Sequence, residues 1–221
     1  MLSGKAADAV TNILYGANLY ALRKKDGGVH PIAVSCSFRR KLCCHFHSQP
    51  MYQYLHPNQV GVSTKGGCKV AIHTLRCFME NNYDKAIAIL KVDVKNAFNT
   101  LERNTIFEAV KCKTSNIFPY LWQCCSSPPN LFHGNKITSQ VGAQQKDPCG
   151  PMIFSLAVYL IIESPNTDLN IWYLDDGSIG GELKSVLQAF CLVKEEFGKI
   201  GLVNTSKCEV FCSLPDDEFI N

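Results

Sequence analysis

The sequence predicts an α+β fold in which mostly antiparallel strands pack against helices. Three observations carry this. Apolar residues recur at helical spacing over residues 70–79 and 183–200. Two runs rich in β-branched, aliphatic and aromatic residues, AIAILKVDV (86–94) and IWYL (171–174), read as strands. No repeat, low-complexity tract or Pro/Gly/Ser linker divides the chain, so its 221 residues with 46% hydrophobic content form one domain with a full-sized core.

The elements follow in order. Behind the breaker Gly66-Gly67, VAIHTLRCFM (70–79) is a helix. AIAILKVDV is a buried strand, and Ile106, Phe107 and Val110 mark a short helix. MIFSLAVYLII (152–162), after Pro151, is a buried helix, far shorter than the ~20 residues a membrane span needs. IWYL runs into Asp175-Asp176-Gly177, a sequence suited to a tight hairpin turn. Leu183, Val186, Leu187, Phe190, Val193, Phe197 and Ile200 line one face of an amphipathic helix that Gly201 stops. Residues 208–214 form a last strand.

Composition narrows the setting. With 22 basic and 19 acidic residues the net charge is +3, which permits a nucleic-acid partner without arguing for one. Residues 1–8 lack the apolar core of a signal peptide. Twelve cysteines without a secretion signal read as reduced thiols, so an intracellular place, nucleus or cytoplasm, is expected, with no membrane. The cluster Cys43, Cys44, His45 and His47 is too tightly spaced to surround one tetrahedral ion and reads as structural.

The chemistry lies in three acids. Asp93 ends one apolar strand, and Asp175 with Asp176 ends another. Adjacent carboxylates about 4 Å apart repel by roughly 1–4 kcal/mol, depending on the local dielectric. A divalent cation would neutralise such a cluster, and hard oxygen ligands on rigid strand ends suit Mg²⁺. Two such ions, with Mn²⁺ as a substitute, are the arrangement used for nucleotidyl transfer. Each acid alone also has a plainer reading. Asp-Asp-Gly is common in surface hairpins, and Asp93 alone is a capped strand end.

Four segments in order resemble the motifs of reverse transcriptases of the non-LTR (LINE-type) retrotransposon class. KVDVKNAFNTL (91–101) resembles motif A, GAQQKDPCGPMIFSLAV (142–158) motif B, WYLDDGSIGG (172–181) motif C and GLVNTSKCEVF (201–211) motif D. GGVHPIAVSCSFRRKL (27–42) looks like the fingers segment, and PNQVGVSTKGGCKVAIHTLRCF (57–78) like the stretch before motif A. The resemblance covers residues 25–214. It implies a right-hand polymerase fold holding fingers (roughly 1–85) and an antiparallel palm sheet packed on helices (roughly 86–214), without a thumb. It implies RNA-templated addition of deoxynucleotides (dNTPs) to a DNA primer 3′-hydroxyl, with Asp93, Asp175 and Asp176 as metal ligands.

Further roles follow from the matching positions. Phe98 stands at the steric gate that excludes a 2′-hydroxyl, and Gln145 at the contact to the incoming nucleotide. Lys207 stands at the general acid that protonates pyrophosphate. Arg39 and Arg40 lie where the fingers meet template phosphates. The residues alone leave alternatives: a core aromatic at 98, an inert exposed lysine at 207, a solvated basic pair at 39–40. Three positions depart from the pattern. Lys146 replaces a glycine, His30 an arginine that grips triphosphate, and Cys149 a leucine. Lys146, His30 and the expected absence of a thumb support a second reading, a catalytically inactive retroelement remnant that folds and can bind nucleic acid.

Overall fold

The two apolar strand runs lie in one sheet, separated by a single strand, in the computed structural model of the chain. The structure describes residues 3–7, 10–11, 14–23, 27, 29–35, 37, 39, 41, 49–94, 96–126, 130–133, 135–138, 142–143, 148–202 and 207–213. Arg40, Gln145, Lys146 and the Cys43, Cys44, His45 and His47 cluster lie outside these residues. The strands are β1 (Ala17–Arg23), β2 (Val29–Ser35), β3 (Ala88–Val92), β4 (Asn130–His133), β5 (Asn135–Thr138), β6 (Leu169–Tyr173), β7 (Asp176–Gly181) and β8 (Glu209–Cys212). The helices are α1 (Gln49–Leu55), α2 (Gly67–Asn81), α3 (Ala97–Thr100), α4 (Arg103–Lys113), α5 (Phe118–Ser126), α6 (Gly150–Glu163) and α7 (Leu183–Lys199).

Two compact units share the chain. Met1–Ser48 and Phe98–Ala157 make one; Gln49–Ala97 and Val158–Asn221 make the other. The first carries a sheet in the order β2-β1-β4-β5, antiparallel except for the parallel pair β1–β4. The second carries a wholly antiparallel sheet in the order β6-β7-β3-β8. Among the described residues no helix is long and apolar enough to cross a membrane. Of the nine described cysteines eight are free, as expected, while Cys149 is disulfide-bonded.

Strand alternation explains why the second sheet is covered on both faces. Leu169 and Ile171 point to one side and join Val60 in a buried cluster with Ala71, Leu75 and Phe78 of α2. Trp172, one residue on, points to the other side and meets Phe197 of α7 edge-on, with centroids 5.8 Å apart. Val186, Ala189, Val193 and Phe197 form the buried stripe of α7, as its periodicity predicts.

The hairpin between β6 and β7 differs from the sequence reading. Tyr173 pairs with Asp176, so the tight turn is Leu174-Asp175 and not Asp175-Asp176-Gly177. Leu174 carries the positive φ, 59°, that such two-residue turns demand at their first central position. Gly177 has a different reason to be glycine. It faces Trp172 in the register, and a Cβ there would fall 2.6 Å from an indole carbon.

A leucine in the left-handed region is strained by roughly 1–2 kcal/mol and persists only when its surroundings hold it. Gln59 does so. This fully buried side chain accepts the Leu174 N–H (2.8 Å) at Oε1 and donates from Nε2 to the Leu174 carbonyl (3.0 Å). Oε1 also accepts the Gly61 N–H at 2.9 Å. Backbone bonds on either side extend the grip: the Trp172 N–H reaches the Asn58 carbonyl, and the Val60 N–H reaches the Trp172 carbonyl. Gly61 completes the fit, since a Cβ there would fall 2.6 Å from the Leu174 nitrogen.

Gln59→Ala leaves both Leu174 backbone groups without their partner. At about 1–3 kcal/mol for each buried unsatisfied group, we expect a loss of about 2–4 kcal/mol in urea denaturation. A loss under 0.5 kcal/mol would show that the turn holds itself.

Candidate active site

The register of the second sheet builds the site. β3 and β7 pair Val92 with Gly177. One step further, past the end of β3, the same antiparallel register sets Asp93 across from Asp176. Alternation puts Asp93 on the face shared by Lys91, Ser178 and Asp176. Asp175 sits in the turn beside them. The structure therefore brings Asp93 and the Asp175-Asp176 pair, more than eighty residues apart in the chain, to one end of one sheet. Like charges directly opposite on paired strands are destabilising.

The electrostatics reflect this crowding. Burial first, then the neighbouring Asp176 and Asp93 charges, push the Asp175 carboxyl up to about 6. Burial and Asp93 also raise Asp176, while Lys91 and Lys207 pull it down. Lys207 Nζ lies 3.7 Å from Asp93 Oδ2. That ammonium is 61% exposed, so the ion pair itself contributes under about 1 kcal/mol. Cys208 fixes the neighbouring backbone, its thiol pointing to the Asp93 carbonyl at 3.8 Å.

The donor set fits a hard divalent cation: carboxylate oxygens on strand ends, held in mutual repulsion. Among the described residues no three His, Cys, Asp or Glu side chains make a ready cage. Mg²⁺ does not need one, since it is commonly held by one or two carboxylates with water and substrate phosphates completing the shell.

Phe98 belongs to the first unit, on α3. Its half-buried ring stacks on Phe154 of α6, with centroids 4.4 Å apart and planes 19° apart. Its carbonyl accepts the Ala143 N–H at 2.7 Å, which ties the start of the GAQQKDP segment to α3. Gly142 permits the approach: its φ is 73°, and a Cβ would fall 2.4 Å from the Phe98 oxygen.

Arg39 departs from the expected template contact. It is 2% exposed, and its guanidinium donates to the Tyr15 carbonyl (3.0 Å), Tyr120 Oη (3.3 Å) and Cys124 Sγ (3.4 Å). Burial pushes the Tyr120 hydroxyl up to about 12, so it stays protonated beside the arginine. Arg39 thus satisfies the interior of the first unit instead of presenting a cation to a phosphate. The residue missed in the sequence is Gln59. A single glutamine in PNQVG carries no periodic or motif signal, and its role exists only once Leu174 lies beside it.

The Asp175 shift has a definite sign. A folded-state pKa above the usual 3.8 means that stability is greatest below about pH 4 and is lost as pH rises through 6. Discounted for partial exposure, the effect is about 1–2 kcal/mol. In buffer containing a chelator, the stability difference between Asp175→Asn and the parent should grow by that amount between pH 4 and 7. A difference independent of pH would show that Asp175 ionises freely.

Comparison with known proteins fits this geometry. Residues 22–219 match the family described as reverse transcriptase (RNA-dependent DNA polymerase). No curated protein matches the chain by sequence. Among solved structures, the fold is similar to apo telomerase from Candida tropicalis truncated from its C-terminal domain. The TM-score there is 0.67 at 12% identity, over 92% of this chain and 51% of that one. The apo telomerase of the same organism gives 0.69 at 11% identity, over 93% and 45%. Telomerase from Candida albicans in complex with a TWJ fragment of telomeric RNA gives 0.69 at 9% identity, over 93% and 43%. The chain spans about half the length of these relatives, and at such identities the likeness is one of fold. The predicted α+β class, antiparallel sheet packed on helices as in polymerase fingers and palm, therefore holds. With most of its length inside the family match, the chain belongs to the reverse transcriptase family.

Proposed function

We propose that this chain is the core of an RNA-directed DNA polymerase of the non-LTR (LINE-type) retrotransposon lineage, with fingers over roughly residues 1–85 and palm over roughly 86–214. It adds dNTPs to a DNA primer on an RNA template. The observation that carries the reading is the convergence of Asp93, Asp175 and Asp176 at one sheet end, within a family whose chemistry needs such a cluster.

The residues divide the work. Asp93 and Asp176, across from each other, and Asp175 in the turn would hold two Mg²⁺ ions. Bound divalent ions supply activation of the 3′-hydroxyl and shielding of pyrophosphate charge. Lys207, whose largely exposed ammonium lies 3.7 Å from Asp93, gives up a proton to the departing pyrophosphate in this reading. Phe98 excludes a ribose 2′-hydroxyl, and Gln145 contacts the incoming nucleotide. The inactive-remnant reading is favoured by Lys146 and His30, which stand where the motifs carry glycine and arginine.

Primer extension on an RNA template with Mg²⁺ and dNTPs tests the proposal. The parent chain should extend the primer, and Asp176→Asn should lower the rate by at least about a hundredfold, or ~2.7 kcal/mol. A parent chain that is silent with Mg²⁺ and with Mn²⁺ establishes the remnant.

Phe98→Val should raise incorporation of ribonucleotides relative to deoxyribonucleotides in the same assay. An unchanged ratio in an active enzyme would make the ring a packing partner of Phe154 only.

A further inference from the structure

Three cysteines meet around a buried guanidinium in the first unit. Arg39, Arg103, Tyr120, Cys124, Cys125 and Cys149 line one cavity of about 20 Å³, the size of a single water site. Cys124 and Cys125 come from α5. Cys149 stands immediately before α6, and its carbonyl accepts the Ile153 N–H at 3.0 Å. None of these sulfurs belongs to the candidate polymerase site. Their oxidation states differ: Cys124 and Cys125 are free thiols, whereas Cys149 is in a disulfide. The other eight described cysteines are free, so the partner of Cys149 lies outside the described residues. A thiol and a disulfide on the walls of one small cavity are the two reactants of thiol–disulfide exchange.

The surroundings favour the ionised, nucleophilic form of Cys124. Its Sγ accepts from Arg39 Nη2 at 3.4 Å, and a buried guanidinium is costly without a counter-charge. Of the carbonyl, phenol and thiol that accept from Arg39, only the thiol ionises near neutral pH, since the Tyr120 hydroxyl is pushed up to about 12. The Cys125 thiol also donates to Cys124. That hydrogen bond, with the Arg39 and Arg103 charges, holds Cys124 below the usual thiol range although burial opposes it. The same bond, then burial, raises Cys125, which keeps its proton. One thiol of the pair is thus the nucleophile and the other its donor.

We propose that Cys124 is an internal nucleophile for the Cys149 disulfide, which makes this cavity a thiol–disulfide exchange site. Cys124 Sγ bonds to Cys149 Sγ as the bond from Cys149 to its present partner breaks. The partner sulfur leaves with the electron pair and takes up a proton in place of the one Cys124 has lost. One disulfide replaces another, so the step needs no outside oxidant or reductant. The new cross-link ties α5 to the start of α6, in a cavity that Gly142 and Ala143 also line. The exchange is independent of polymerase activity, so a catalytically silent chain would still perform it.

Disulfide mapping of the full chain, purified without reductant, tests the proposal. The protein is held at neutral pH, quenched in acid, alkylated with N-ethylmaleimide under denaturing conditions, digested and read by tandem mass spectrometry. Cys149 should appear in two cross-links, one to its partner and one to Cys124, the second making up at least about a tenth of the total. Cys124→Ser should abolish the second link and keep the first. Because that variant removes a partner of Arg39 and could disturb the fold, Cys125→Ser provides a second arm: its hydroxyl still donates, so the Cys124–Cys149 link should persist within about threefold of the parent. Loss of the link there would make Cys125 the attacking sulfur and overturn the assignment. Cys112 of α4, exposed in the same unit, reports random scrambling and should link to Cys149 at least about tenfold less often than Cys124 does. Asp176→Asn should give the parent map, which separates the exchange from catalysis. A parent in which Cys149 is free, is linked only to its partner, or links to Cys112 as often as to Cys124 would each sink the proposal.

Discussion

One amide group governs the geometry of the candidate active site. The buried Gln59 side chain pairs with both backbone groups of Leu174 and holds that residue in a conformation it would otherwise leave. Everything downstream inherits this constraint. With Leu174 fixed, the turn has two residues, Tyr173 pairs with Asp176, and β7 enters the sheet in a register that brings Asp176 level with the end of β3. A one-residue slip would move every β7 side chain to the opposite face and take Asp176 away from Asp93. The acids are thus placed by the backbone, while their mutual repulsion works against the placement.

Opposing forces of this kind are expected where function conflicts with stability. Interactions remote from the charges offset the repulsion: the Trp172–Phe197 contact on one face and the Val60, Leu169 and Ile171 cluster on the other. The first unit shows a related economy around Arg39. Its charge is buried but met by a carbonyl, a phenol and a thiol, so the guanidinium ties together segments distant in sequence. A basic residue in a basic tract is not automatically a ligand-binding residue.

Much of this was legible in the sequence because periodicity reports burial. The helices α2, α6 and α7 and strand β6 fall where the apolar spacing put them, and β3 lies inside its predicted run. The acids stood out because a charge ending an apolar strand is costly. What was not legible depended on partners. Strands β1, β2, β4 and β5 lack long apolar runs and owe their pairing to one another. The turn was displaced by one residue because Asp-Asp-Gly resembles a loop, whereas Gly177 is small to make room for an indole and Leu174 is bent by Gln59. Arg39 looked like a surface cation because nothing in a linear sequence shows Tyr15, Tyr120 and Cys124 converging on it.

The room made at Gly177 has an optical consequence. Trp172, 1% exposed, lies one residue before Tyr173 and directly across from the glycine that follows the Asp pair. The chain has only two tryptophans, and the other, Trp122, belongs to the first unit and is 51% exposed. Their emission should therefore separate by wavelength, with the blue component arising from the indole behind the acid turn. The protein carries its own chromophore at the place where its charges meet.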